Sequence, residues 1–105
     1  GLKKSGKKDM GLIFSEAPAV CAAVFTKNVV KAAPVLVDME KVKNPVTRAF
    51  IINSGNANAC TGEQGIADAH ATANRVAERL GILPEEVMVF STGVILCRWI
   101  RFSRV

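Results

Sequence analysis

Histidine is nearly missing from this chain: His70 is the single one among 105 residues. It falls on the polar side of a helical pattern with no partner near it in sequence, so a histidine-centred catalytic triad is unsupported. Cysteine is scarce as well. Cys21, Cys60 and Cys97 are scattered and odd in number, which suggests neither a disulfide framework nor the close spacing of a metal site. Long apolar runs are also lacking, and stretches such as Ala19 to Phe25 fall far short of the ~18 residues of a membrane span. The Lys-rich start is not followed by a continuous apolar segment with a small-residue cleavage site, so no secretory signal is read there. The expectation is a soluble, cytoplasmic protein without membrane contact.

What is present has globular composition. Half the residues are apolar and 22% are charged, which argues against disorder and fits one domain with a modest core. The formal net charge is +5. Lys3, Lys4, Lys7 and Lys8 lie at one end, and Arg98, Arg101 and Arg104 at the other. Solvated termini explain that charge more simply than a nucleic-acid footprint, which needs a basic face with readout residues.

The order of elements reads as an α/β chain, β-β-α-β-α-β, without internal repeat. Met10 to Ser15 is a short strand, Ala17-Pro18 breaks it, and Ala19 to Phe25 is a second strand whose lack of alternation suggests burial on both faces. Pro34 suits the start of a helix ending near Lys43, with Val35, Met39 and Val42 on one face and Asn44-Pro45 as its stop. Arg48 to Asn53 is the next strand. Thr61 and Gln64 have capping-box spacing for a long helix whose apolar stripe is Ile66, Ala69, Ala73, Val76, Ala77 and Leu80. Gly81 is its left-handed stop, and Val87 to Phe90 is a buried strand that delivers Ser91-Thr92-Gly93.

Two loops attract attention. The first, Asn53-Ser54-Gly55-Asn56-Ala57-Asn58-Ala59-Cys60-Thr61-Gly62, is rich in residues that tolerate left-handed backbone and bring main-chain N–H groups close to a partner. It reads either as an ordinary strand-to-helix connection or as the wall of a small-molecule site, where α/β folds place binding residues. The second, Ser91-Thr92-Gly93, reads either as a strand-ending turn or as a turn that aims consecutive N–H groups at a substrate carbonyl.

The string from Asn53 to Gly62 resembles the signature of the ornithine acetyltransferase family, the glutamate N-acetyltransferases of arginine synthesis. Further matching pieces are Gly1-Leu2-Lys3-Lys4, Lys8-Asp9, Pro18-Ala19, Val24-Phe25-Thr26-Lys27-Asn28, Val30-Lys31-Ala32-Ala33-Pro34-Val35 and Ser91-Thr92-Gly93-Val94-Ile95. The similarity runs from about Gly1 to Ile95, as the N-terminal portion of the family's α chain, part of an α+β sandwich. It implies an enzyme that moves acetyl from N-acetylornithine to glutamate through an acetyl-threonine intermediate. Some members also accept acetyl-CoA, and no cofactor or metal is implied. In this resemblance Thr92 and Gly93 stabilise the oxyanion, and Asn53, Gly55, Asn56 and Asn58 belong to a substrate-site loop. The nucleophile is an N-terminal threonine exposed by autocatalytic cleavage, carried on a β chain in a heterotetramer of two α and two β chains. Its Ala-Thr-Met context does not occur here, so Thr26, Thr47, Thr61, Thr72 and Thr92 are not nucleophile candidates.

Residues 96 to 105, Leu96-Cys97-Arg98-Trp99-Ile100-Arg101-Phe102-Ser103-Arg104-Val105, match nothing in the family. They read as a terminal amphipathic segment or as a shifted reading frame. The coding CTG TGC CGA TGG ATA AGA TTC TCA AGG GTT is permitted for them, and from its third base it gives VPMDKILKG. The family continues with a Pro-Met-Asp-Lys-Ile string at this point, which favours the frameshift. Without the tail's three arginines the net charge falls from +5 to +2. Two rival readings of the whole chain are a non-catalytic interaction or regulatory fragment with the same fold, and a small nucleic-acid-binding domain.

Overall fold

The computed structural model describes residues 6–96. The architecture is mixed α/β, as expected: strand β1 (Met10–Val20), helix α1 (Ala33–Lys41), strand β2 (Val46–Asn56), helix α2 (Gly62–Leu80), a single 3₁₀ turn (Pro84–Glu86) and strand β3 (Val87–Val94). The sheet has the order β1-β2-β3, with β1 antiparallel and β3 parallel to β2. Parallel pairing needs a long crossover, and α2 provides it.

The two strands expected before α1 are one. Ala17-Pro18 does not end β1; it lies in a register shift between the pairs Phe14↔Ala49 and Ala19↔Thr47. Arg48 explains why the strand survives the interruption. Its guanidinium donates to the carbonyls of Ser15, at 3.2 Å, and Glu16, and lies 5.2 Å from the Phe14 ring centroid. Those donors replace ladder bonds that Pro18, which has no N–H, helps to remove. Ala19 to Phe25, expected to be buried on both faces, is instead largely exposed, with Val24 at 99%. Cys21 and the residues after it leave the sheet.

Helix α2 supplies the core through a row of small residues. Ala69, Ala73 and Ala77 are buried, and Ala73 and Ala77 pack with Ala49, Ile51, Val87 and Val89, flanked by Val76, Leu80 and Ile82. Burial of such apolar surface contributes about 25 cal/mol per Å². Gly81, at φ 67°, ends the helix as anticipated. The start differs from the capping-box expectation: Thr61 stands at the N-cap, but its hydroxyl bonds Asn58 instead of a helix N–H, and Gln64 reaches forward to Asp68. Helix α1 is shifted slightly from Pro34–Lys43. Its buried residues are Ala33, Pro34, Val37 and Asp38, whereas the expected stripe of Val35, Met39 and Val42 is only half-buried.

The opposite sheet face carries Ile13, Phe50, Ile52, Met88 and Phe90 by register and alternation. The Phe50 and Phe90 rings lie 5.7 Å apart. Met88 is buried and Phe50 and Ile52 are half-buried, whereas Ile13 is 61% and Phe90 45% exposed, so this face is only partly covered by the described residues. The tail from Cys97 to Val105, and with it the choice between amphipathic segment and frameshift, lies outside the described residues.

Candidate functional site

The two loops singled out in the sequence prove to be neighbours. Strand β2 continues through the first of them as far as Asn56, and β3 continues through the second as far as Val94. The parallel register pairs Asn53 with Ser91, Ser54 with Thr92, Gly55 with Gly93 and Asn56 with Val94. Beyond the ladder, the Ala57 N–H donates to the Val94 carbonyl at 3.0 Å and the Leu96 N–H to the Ala59 carbonyl at 3.0 Å. One continuous ribbon of backbone therefore joins both strings.

The paired glycines set its geometry. Gly55 and Gly93 adopt φ of 135° and 134°, a region that side chains rarely tolerate. A Cβ on Gly93 would lie 2.3 Å from the Gly55 carbonyl carbon and 2.6 Å from both the Gly55 oxygen and the Asn56 nitrogen. These are backbone atoms and cannot swing aside. Gly93 is thus required by close approach as well as by its dihedral.

The asparagines hold the turn that follows. Asn53, Asn56 and Asn58 are all buried, where an unpaired polar group is costly. The Asn53 amide donates to the Asn56 carbonyl at 2.8 Å, and the Asn56 side-chain oxygen accepts from the Asn58 N–H at 2.8 Å. The Asn58 amide donates to the Gly65 carbonyl at 2.8 Å while its oxygen accepts from the Thr61 hydroxyl at 2.7 Å. Asn58 itself has φ of 50°, which asparagine accepts more readily than most residues. Gly65 must be small here too: a Cβ would fall 1.8 Å from the Thr61 hydroxyl oxygen.

A cleft of about 690 Å³ opens at this end of the sheet, lined among others by Phe25, Thr26, Phe50, Asn53, Phe90 and Thr92. Ser91 is half-buried, while Thr92 and Gly93 are exposed. Asp38 is the one carboxylate among the described lining residues, which include no histidine, lysine or arginine. The wall therefore offers hydroxyls, an amide, main-chain groups and one carboxylate, Asp38, whose oxygens already accept the Val89 N–H. Among the described residues no cluster of three potential metal ligands occurs, and no helix is long and apolar enough to cross a membrane.

The fold gathers the six residues singled out in the sequence, Asn53, Gly55, Asn56, Asn58, Thr92 and Gly93, within one strand pair and its turn; of these, Asn53 and Thr92 line the cleft. The sequence reading did not single out Asp38, Lys41 or Gly65. Asp38 is 4% exposed, and its carboxylate accepts the Val89 N–H at 3.0 and 3.2 Å. Burial pushes its pKa up to about 6, against the lowering effects of that N–H and of Lys41. Lys41 donates to the Pro84 and Val87 carbonyls at 2.8 and 2.7 Å, and burial lowers its pKa despite Asp38 and Glu85.

Comparison with known proteins agrees over almost the whole chain. A family model described as the ArgJ family matches residues 1–100. The chain is 57% identical over 94 residues to the arginine biosynthesis bifunctional protein ArgJ of Geobacter sulfurreducens, covering 90% of this chain and 24% of that protein. It is 60% identical over 95 residues to the protein of the same description from Caldanaerobacter subterraneus, covering 90% and 23%. Among solved structures it is similar to the ArgJ protein of Bacillus halodurans, with 45% identity and a TM-score of 0.88 over 92% of this chain and 51% of that one. It is equally similar to the ornithine acetyltransferase of Mycobacterium tuberculosis complexed with ornithine, with 49% identity and a TM-score of 0.87 over 93% and 54%. The chain spans about a quarter of the length of these curated relatives. Sequence and fold together show that it belongs to the ArgJ family.

Proposed function

We propose that this chain is the oxyanion-stabilising portion of an acetyltransferase of arginine biosynthesis, whose complete form moves acetyl from N-acetylornithine to glutamate. The observation that carries the reading is the in-register pairing of Gly55 with Gly93, next in their strands to Ser54 and to Thr92, which lines the cleft. It fixes Thr92 and Gly93 at the strand ends, where preorganised donors stabilise developing charge once the rest of the protein excludes water from the site. Alternation along β3 supports the assignment of donors. The Val89 N–H faces away from β2 toward Asp38, so the N–H groups of Ser91 and Gly93 fall on that same outer edge, beside the Thr92 hydroxyl.

The chemistry then runs in two halves. A threonine hydroxyl from the second, β chain attacks the acetyl carbonyl carbon of N-acetylornithine, giving its proton to that threonine's own α-amino group. The carbonyl oxygen becomes an oxyanion held by the donors at Thr92 and Gly93. The bond to the ornithine nitrogen breaks, the amine takes the proton, and an acetyl ester remains. The α-amino group of glutamate attacks that ester by the reverse sequence, and acetyl-CoA serves as an alternative donor to the same threonine. The scarcity of bases in the cleft fits a chain that stabilises charge while another chain supplies nucleophile and base. The functional assembly is a cytoplasmic heterotetramer of two α and two β chains.

The test is Thr92→Val in the full-length protein carrying this chain. Removing the hydroxyl while keeping the shape lowers kcat by about 10- to 100-fold with a smaller change in KM. An unchanged kcat removes Thr92 from the oxyanion site.

A further inference from the structure

Strand β3 lies at the edge of the sheet as described, paired to β2 on one side only. An edge strand leaves alternate N–H and C=O groups without ladder partners. Helix α1 takes up three such groups around β3. Asp38 accepts the Val89 N–H, while Lys41 donates to the Val87 carbonyl and to that of Pro84 in the preceding turn. At its other end α1 reaches the second half of the site, where the Ala33 N–H donates to the Asn58 carbonyl at 3.0 Å. One rigid helix thus grips both β3, three residues before Thr92, and the turn that follows Asn56.

We propose that Asp38 is a positioning residue for the acyl-transfer site: through the Val89 N–H it locks α1 to β3 and fixes the height of Thr92 and Gly93 against the Asn53–Asn58 turn. The inference rests on the function proposed above. A carboxylate accepting a backbone N–H is a charge-assisted bond, stronger and shorter-ranged in its demands than a contact between apolar side chains. Val89 is 4% exposed, and no residue of β3 after it is buried, so Val89 is the last firmly buried point before the site. Three residues of strand separate it from Thr92, about 10 Å. A shift at the anchor is carried along so short a strand, because only β2 and the turn after it hold the rest.

The experiment uses the full-length protein, with kcat, KM for N-acetylornithine and the thermal midpoint measured for each variant. Asp38→Asn keeps an acceptor oxygen and retains kcat within about twofold, whereas Asp38→Leu removes the acceptor and lowers kcat about tenfold with KM changed less than twofold. Where the leucine variant does not fold, Asp38→Ala takes its place, with amide hydrogen exchange from Val89 to Gly93 accelerated more than in α2. A folded leucine or alanine variant with the parent kcat overturns the proposal, as does an asparagine variant as impaired as leucine. Thr92→Val in the same assay separates the two claims. If it lowers kcat and Asp38→Leu does not, only the positioning role falls; if neither does, the site assignment itself falls.

Discussion

Replacing Gly93 by alanine is the smallest perturbation that challenges the paired-glycine geometry. The added Cβ would stand 2.3 Å from the Gly55 carbonyl carbon, whereas carbon atoms rest about 3.5 to 4 Å apart. The strands must therefore part by roughly 1 Å at the Gly55↔Gly93 pair, or β3 must twist away. A second cost comes from the backbone, because φ of 134° is a glycine conformation whose strain in other residues is of order 1–3 kcal/mol. Separation at this pair displaces the Thr92 hydroxyl and the Gly93 N–H from the place where, in the function proposed, the oxyanion forms. Misplacement by about 1 Å costs on the order of 10²-fold in rate. The full-length Gly93→Ala protein should thus remain folded with a lowered thermal midpoint, and transfer acetyl from N-acetylornithine to glutamate with kcat down about 100-fold and KM much less affected. Gly93→Val should be worse in both respects. A folded alanine variant with the parent kcat would refute the argument that close strand approach sets the donors.

Gly65→Ala should destabilise the full-length protein by about 1–3 kcal/mol, since its Cβ meets the Thr61 hydroxyl and the Asn58 side-chain oxygen; adding Thr61→Ala should recover part of the loss in chemical denaturation, and no recovery would place the strain elsewhere. Asp38 has its folded pKa raised from 3.8 to about 6, so its protonation contributes stability that is full below pH 3.8 and lost as pH rises through 6. Relative to Asp38→Asn, the parent should therefore gain thermal stability between pH 7.5 and 4.5, and parallel curves for the two proteins would contradict that. The chain on its own should show no acetyl transfer and should self-associate with rising concentration, because Ile13, Phe90, Val94 and Ile95 expose apolar surface; turnover, or a monomer at all concentrations by light scattering, speaks against this. We propose that residues 96 to 105 are a frameshifted reading, and sequencing the gene past the codon for Ile95 decides it: an uninterrupted frame through this tail rejects the frameshift.

Elements whose cause is local were legible in the sequence. The alanine stripe of α2, its stop at Gly81 and the apolar start of β3 appear where periodicity and a left-handed glycine place them. What was illegible depends on a partner distant in the chain. Ala17-Pro18 looks like a strand end until Arg48, on the neighbouring strand, supplies donors to Ser15 and Glu16. Thr61 and Gln64 have the spacing of a capping box, yet Asn58 competes for the threonine hydroxyl from a position fixed by the end of β2. Asp38 reads as one more helix carboxylate, and only the edge position of β3 shows what it meets. At the site both strings were visible as family signatures, but not their pairing, which follows from the length and path of the α2 crossover. A hint lies in composition: Ile52-Asn53-Ser54-Gly55 and Phe90-Ser91-Thr92-Gly93 share one pattern of apolar, polar, hydroxyl and glycine.

If Thr92 and Gly93 hydrogen-bond the reacting carbonyl oxygen, isotope-edited infrared spectroscopy of the acetyl-enzyme will register it. With a ¹³C-labelled acetyl group on the threonine proposed as nucleophile in the full-length protein, the ester carbonyl stretch should lie below that of a simple acetyl ester in water, because preorganised donors polarise the C=O bond. In Gly93→Ala the band should move back toward the solution value. A band at the solution frequency in the parent, or one left in place by Gly93→Ala, would contradict the account.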